Sequence, residues 1–214
     1  QPNEGFGTYK KISDDPLTVE YELKDPQWSD GNKIDKADLL LEWSMLSGYA
    51  NDSSEDGKTG KDYFSIAGST DILSSTDKPE FSEDGKTMTV MWGKQNADWE
   101  IAFDENYLMP AHVVARVAGL SDVIDPIRAM DRAAVGRIAD AWNTGFDLTF
   151  GPVDHAHYPA SGPYRIDRYS RSGGLVLVPN DEWWGDKPET SRIVVWGRGT
   201  DATRRLPDGR FESG

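Results

Sequence analysis

The chain has 214 residues, 37 acidic against 23 basic, and a formal net charge of -14. With a pI of about 4.6, it repels nucleic acid phosphates and anionic lipid heads, and neither is an expected partner. The absence of cysteine removes disulfides, zinc–thiolate sites, iron–sulfur clusters and thiol nucleophiles, while 11% aromatic residues supply the bulk for a core.

Residues 1–16, rich in glycine, proline and aspartate, read as an entering linker. LTVEYEL (17–23) alternates, with Leu17, Val19, Tyr21 and Leu23 on one face, which predicts a strand. Asp25–Pro26 breaks it, and Asp30–Gly31 makes a turn. A helix follows from Asp35, with Asp35 as cap and Asp38 reaching back to it. Leu39, Leu40, Trp43 and Leu46 give this helix its apolar spacing, and Gly48 is its stop. Residues 51–62 form a polar loop that lacks the acid spacing of a calcium loop.

FSEDGKTMTVMW (81–92) reads as a turn and then a strand, and 98–103 as another short strand. Residues 109–120 predict a helix with Pro110 in its first turn. A single helix is expected over 126–145, with Ile127, Met130, Ala134, Ile138 and Trp142 on one face and Gly145 at its end. Residues 151–163 are a loop. YRIDRY (164–169) and GLVLVPN (174–180) make a hairpin, and RIVVWG (192–197) is a further strand. Strands and helices mix without regular alternation, so the fold class is α+β. No run approaches the ~20 apolar residues of a membrane helix.

Catalytic signatures are missing. There is no phosphate loop, no GxGxxG and no nucleophile elbow. A carboxylate pair suited to glycan hydrolysis stays open as an alternative, because acids are plentiful and none stands out. His155 and His157, two apart on an extended segment, would face one way and could share a metal, but no third ligand lies at metal-site spacing. Surface or hinge histidines are the plainer reading. Of the eight tryptophans, Trp43, Trp92, Trp142 and Trp196 fall on element faces and read as core. Trp99 and the Trp183–Trp184 pair lie near breaks, where a ligand platform is equally open.

Two blocks carry a family resemblance. LTVEYELKDPQWSDGNKIDKADLLLEW resembles a strand, W-[SH]-D-G and a [TD]-A-x-D helix. SGPYRIDRYSRSGGLVLVPNDEWWGDKPETSRIVV resembles G-P-Y, a hairpin and N-x-x-[YW]-W-G-x-K-P before a strand. In this order they are similar to the extracytoplasmic solute-binding proteins of peptide-type ABC transporters, family 5, the oligopeptide/dipeptide group. ADWEIAFDENYLMPAHVV is similar to the actinobacterial lipoprotein branch. Some members of that branch are linked to cell-envelope glycolipid synthesis rather than to uptake, which gives the regulatory alternative.

The resemblance implies a fragment of a two-lobed periplasmic-binding-protein-like fold. Residues 1–16 would belong to the entry from the first lobe, 17–150 to a small α+β domain, and 151–214 to the truncated return to the first lobe. It implies a monomeric surface lipoprotein that binds a peptide or other small solute and serves a membrane-embedded ABC permease. It implies no catalytic residue, cofactor or metal. Trp28, Asp30, Gly31, Gly162, Pro163 and Tyr164 become structural positions. His155, His157, Tyr158 and Trp99 are the candidate ligand-binding residues, by position near the crossing between domains or at a break. Beyond Val195 the family continues into a [GD]-A-x-x-[QR] helix, whereas this chain turns rich in arginine, glycine and proline.

Overall fold

The computed structural model describes residues 4–50, 63–65, 72–103 and 107–197. The strands fall into two antiparallel sheets. In the first, β1 (Gly7–Asp14), β2 (Leu17–Leu23), β3 (Glu80–Phe81) and β4 (Thr87–Trp92) lie in the order β1-β2-β4-β3. Register sets Leu17 opposite Trp92 and Val19 opposite Val90. The period-2 pattern therefore builds one apolar face from Leu17, Val19, Leu23, Met88, Val90 and Trp92, all buried.

The linker expected over 1–16 is corrected here, because Gly7–Asp14 is a strand paired along β2. Most of its side chains are exposed or half-exposed, so no apolar alternation betrays it. Backbone pairing holds it at the sheet edge. A side chain at Gly7 would run into the Glu22 carbonyl oxygen, which fits glycine at this close approach.

Helix α1 (Lys36–Leu46) begins as its acids foretell. The Asp35 carboxylate accepts from Ala37 N–H at 2.7 Å, and the Asp38 carboxylate accepts from Asp35 N–H at 2.8 Å. It ends at Ser47, followed by Gly48 at φ 70°. Every residue from Asp38 to Leu46 is buried, including Leu41, Ser44 and Met45 outside the expected stripe. A helix buried all round is an interior element. Helices α2 (Ala111–Val117), α3 (Ile124–Ala129) and α4 (Arg132–Thr144) contribute Val114, Ile127, Val135 and Ile138 to the same core as α1 and the first sheet.

Two further expectations are corrected. The helix expected over 126–145 is two helices. Met130 takes a left-handed backbone at φ 52°, and the Asp131 carboxylate caps α4 through Ala133 and Ala134 N–H. Asp131 offers the backbone an alternative to continuing the helix, and the chain takes it. The strand expected over 98–103 is a 3₁₀ turn at Trp99–Ile101. There the Asn96 carboxamide accepts from Asp98 N–H and donates to the Ile72 carbonyl, so the chain curls.

Strands β5 (Tyr164–Ser170), β6 (Gly174–Pro179) and β7 (Ile193–Val195) form the second sheet in that order. The two family-like segments around it are tied by Asn180, which is 4% exposed. Its amide donates to the Gly162 carbonyl at 2.9 Å and accepts from Glu182 N–H at 3.0 Å, while its backbone N–H reaches the Pro163 carbonyl. Asn180→Ala is expected to cost about 1–3 kcal/mol by stranding these partners, read as a lower denaturation midpoint at unchanged slope.

Trp43 and Trp92 are buried, as expected of core residues. Trp142 packs half-buried on the core, and Trp196 is half-exposed beside Gly174. Trp183 and Trp184 stack on one another with centroids 4.2 Å apart, and Phe6 sits 5.6 Å from Trp184. The loop considered for calcium (51–62) and the tail from 198 onward lie outside the described residues.

Candidate functional site

Residues 151–163 run from α4 to the second sheet as a strap. Asp154 shapes it: its carbonyl accepts from His157 and Tyr158 N–H, and its carboxylate accepts from Ala156 N–H. At one end Gly151 N–H donates to the Tyr169 carbonyl, and the Phe150 ring lies 4.5 Å from that of Tyr169. At the other, Ser29 and Ala160 exchange two hydrogen bonds of 2.9 Å, Ser29 N–H to the Ala160 carbonyl and Ala160 N–H to Ser29 Oγ. Between them Arg116 of α2 donates to the Ala156 carbonyl at 2.9 Å.

The Trp28–Gly31 turn is thus the clamp on which the strap rests. Trp28 is buried. Gly31 sits at φ 84°, a conformation that favours glycine. The Asp30 carboxylate accepts from Asn32 and meets His112 Nε2 at 2.8 Å. Although partial burial opposes it, the hydrogen bonds from His112 and Asn32 hold the Asp30 carboxyl below its usual range. The stretch has no reacting group aimed into space. Ser29 holds the strap, and the Asp30 carboxylate is spent on Asn32 and His112.

The four candidate residues do not converge. His157 Nε2 lies 2.6 Å from the Gly145 carbonyl at the end of α4, and His155 Nε2 lies 3.1 Å from the Asp167 carbonyl of β5. A carbonyl only accepts, so each Nε2 carries the proton. The imidazoles thus face different backbone carbonyls and not one shared centre, against the expectation from their spacing. The strap is not extended there, which is the physical reason. His157, Tyr158 and Phe146 do cluster, with His157 centroids 4.7 Å from Tyr158 and 5.3 Å from Phe146, and Tyr158 Oη donates to the Asp147 carbonyl. Trp99 belongs to another group. Its ring meets Tyr9 edge-on at 5.3 Å, and its carbonyl accepts from Tyr21 Oη at 2.7 Å. Burial pushes the Tyr21 hydroxyl above its ordinary range. Of the structural positions, Gly162 and Pro163 supply the carbonyls that Asn180 reads, and Tyr164 opens β5.

Sequence reasoning missed Ser29, His112, Arg116 and Phe146. Only the fold brings Ser29, Arg116 and Phe146 to the strap, and His112 to Asp30 in the turn that clamps it.

With this architecture in place, residues 4–206 match the family described as bacterial extracellular solute-binding proteins, family 5, middle. The chain belongs to this family. It is 33% identical over 207 residues to an uncharacterized lipoprotein of Mycobacterium tuberculosis, covering 94% of this chain and 35% of that protein. A lipoprotein of Mycobacterium leprae is 33% identical over 204 residues, covering 94% and 34%. The chain therefore spans about a third of the length of these relatives.

Among solved structures, the periplasmic EDTA-binding protein EppA matches with a TM-score of 0.69 at 21% identity, over 98% of this chain and 33% of that one. The oligopeptide-binding protein AppA of Bacillus subtilis, in complex with a nonapeptide, matches at 0.58 and 14%, over 95% and 33%. Lactococcal OppA with an endogenous peptide, in the closed conformation, matches at 0.54 and 18%, over 98% and 37%. At these identities the likeness is one of fold. The chain is an α+β part of a two-lobed periplasmic-binding-protein-like architecture.

Proposed function

We propose that this chain is the middle segment of an extracytoplasmic lipoprotein that captures a peptide or similar solute and delivers it to an ABC permease. The family match over residues 4–206 carries the reading. The fold likeness to AppA, solved with a nonapeptide, and to OppA, solved closed on a peptide, supports the peptide class. The lipoprotein relatives support a lipid anchor.

Residues 17–150 act as the small domain in this proposal, and 151–214 as the return toward the first lobe. The strap would fix the two to one another while the lobes close on the ligand. Closure needs firm supports on either side of the cleft, and the Ser29–Ala160 and Arg116–Ala156 bonds are supports of that kind. His155, His157 and Tyr158 would act at this junction, with His157 and Tyr158 nearest the solute. Trp99 would be an aromatic contact on a separate face.

The test is a thermal-shift screen of the intact protein against pooled short peptides and, separately, envelope glycolipids. A ligand of the native state at 100 times its Kd stabilises by about 2.7 kcal/mol. A rise in melting temperature with peptides is the expected result. A rise with glycolipid alone, or none, would overturn the peptide-uptake reading.

A further inference from the structure

Away from the strap, a cavity of about 330 Å³ opens between α1, α3 and the turn joining β3 to β4. Phe81 and Ile124 give it apolar surface over the buried Leu40, and Lys36, Arg128, Glu83 and Ser82 make the larger, polar part of its lining. The volume lies at the small end of ligand sites. Lys36 occupies the first position of α1, where the positive end of the helix dipole disfavours a cation. It is half-buried, and its stem lies against Gly85, where an added Cβ would come within 3.1 Å of Lys36 Cδ. Arg128 stands with its guanidinium 5.8 Å from the centre of the Phe81 ring.

Neither Lys36 nor Arg128 makes an ion pair among the described residues. Elsewhere Lys33 and Lys86 both bind Asp25, and Lys11 binds Asp14. The nearby acid Asp84 is occupied by Ser82 Oγ and by Lys86 N–H. In a chain of net charge -14, two cations against one carboxylate, Glu83, on one cavity are a local excess of positive charge. Screening over ~8 Å at physiological salt leaves the near cations in control of that cavity.

We propose that this cavity binds a small organic anion, a carboxylate or phosphate monoester on an apolar body. The anion would sit between Lys36 and Arg128, and the body against Phe81 and Ile124. The proposal stands apart from solute capture between lobes.

Fluorine NMR of the intact protein tests it, with para-fluorophenylacetate and para-fluorophenyl phosphate as probes and para-fluorobenzyl alcohol as the neutral control. Saturable line broadening is expected for at least one anion and not for the alcohol, and whichever anion binds more tightly assigns the headgroup. Lys36→Gln and Arg128→Gln should each weaken binding about tenfold, as loss of a charge-assisted contact does. Glu83→Gln should strengthen it. Melting curves of the three variants check that the fold is kept. Equal response to the alcohol, no saturation with either anion, or full affinity in both cation variants overturns the proposal.

Discussion

Replacing Trp43 by alanine is expected to destabilise the protein by about 3–5 kcal/mol, the range for deleting a buried aromatic side chain. Trp43 is fully buried at the middle of α1, itself buried along its length from Asp38. Its ring sits 4.8 Å from that of Tyr49. Its indole N–H donates to Thr76 Oγ1 at 2.8 Å, and the Thr76 hydroxyl donates onward to the Leu73 carbonyl at 2.7 Å. Alanine would leave a cavity between helix and sheet and would take the donor from Thr76. Trp43→Phe keeps much of the volume and loses the donor with a smaller cavity, so it should cost less, about 1–3 kcal/mol. Urea denaturation of the two variants separates the terms. If Trp43→Ala cost no more than Trp43→Phe, the cavity would be collapsing freely and α1 would not be the rigid centre of the core.

Some of this was written plainly in the chain. Where one face of an element meets the core, side-chain period shows it, as in β2 and β4. Where a side chain caps a helix, its identity shows it, as with Asp35 and Asp38. Other parts were hidden for stated reasons. Strand β1 lies on an edge with exposed side chains, so pairing and not patterning makes it. The break between α3 and α4 falls inside an unbroken apolar period, and only the capping choice of Asp131 divides it. The strap is hidden in a different way. Its loop was legible, but Ser29 and Arg116 come to it from distant positions, and no local spacing encodes that meeting. The histidine pair shows the converse case. Two residues apart suggests a shared direction only on extended backbone, and the Asp154 turn removes that condition.

Asp38 gives the second large effect and the one with a pH signature. Its carboxylate joins two helix starts, accepting from Asp35 N–H at 2.8 Å and from Ala111 N–H at 2.8 Å. It is 2% exposed. Burial pushes its carboxyl up to about 7, against the pull of those two N–H donors, with the Asp35 charge adding to the rise. In the unfolded chain the group titrates near its ordinary value, about 3.9. Between roughly pH 4 and pH 7 the folded protein therefore holds a proton that the unfolded chain has released. Stability from this group falls as pH rises through that window and levels off above it. Asp38→Asn cannot titrate, and it turns an amide hydrogen toward one of the two N–H donors, at a cost of about 1–3 kcal/mol. At pH 5 the variant should be clearly weaker than the parent, and the gap should narrow toward pH 8, where the parent bears a buried charge. Asp38→Ala strands both donors and should cost about 2–5 kcal/mol at pH 5. Chemical denaturation of parent and variants from pH 5 to pH 8 reads the gap directly, because every other titrating group cancels in the difference. A gap that stays constant across this range would show that Asp38 is ionised throughout, its two N–H donors outweighing its burial. The junction of α1 and α2 would then rest on a permanent buried charge.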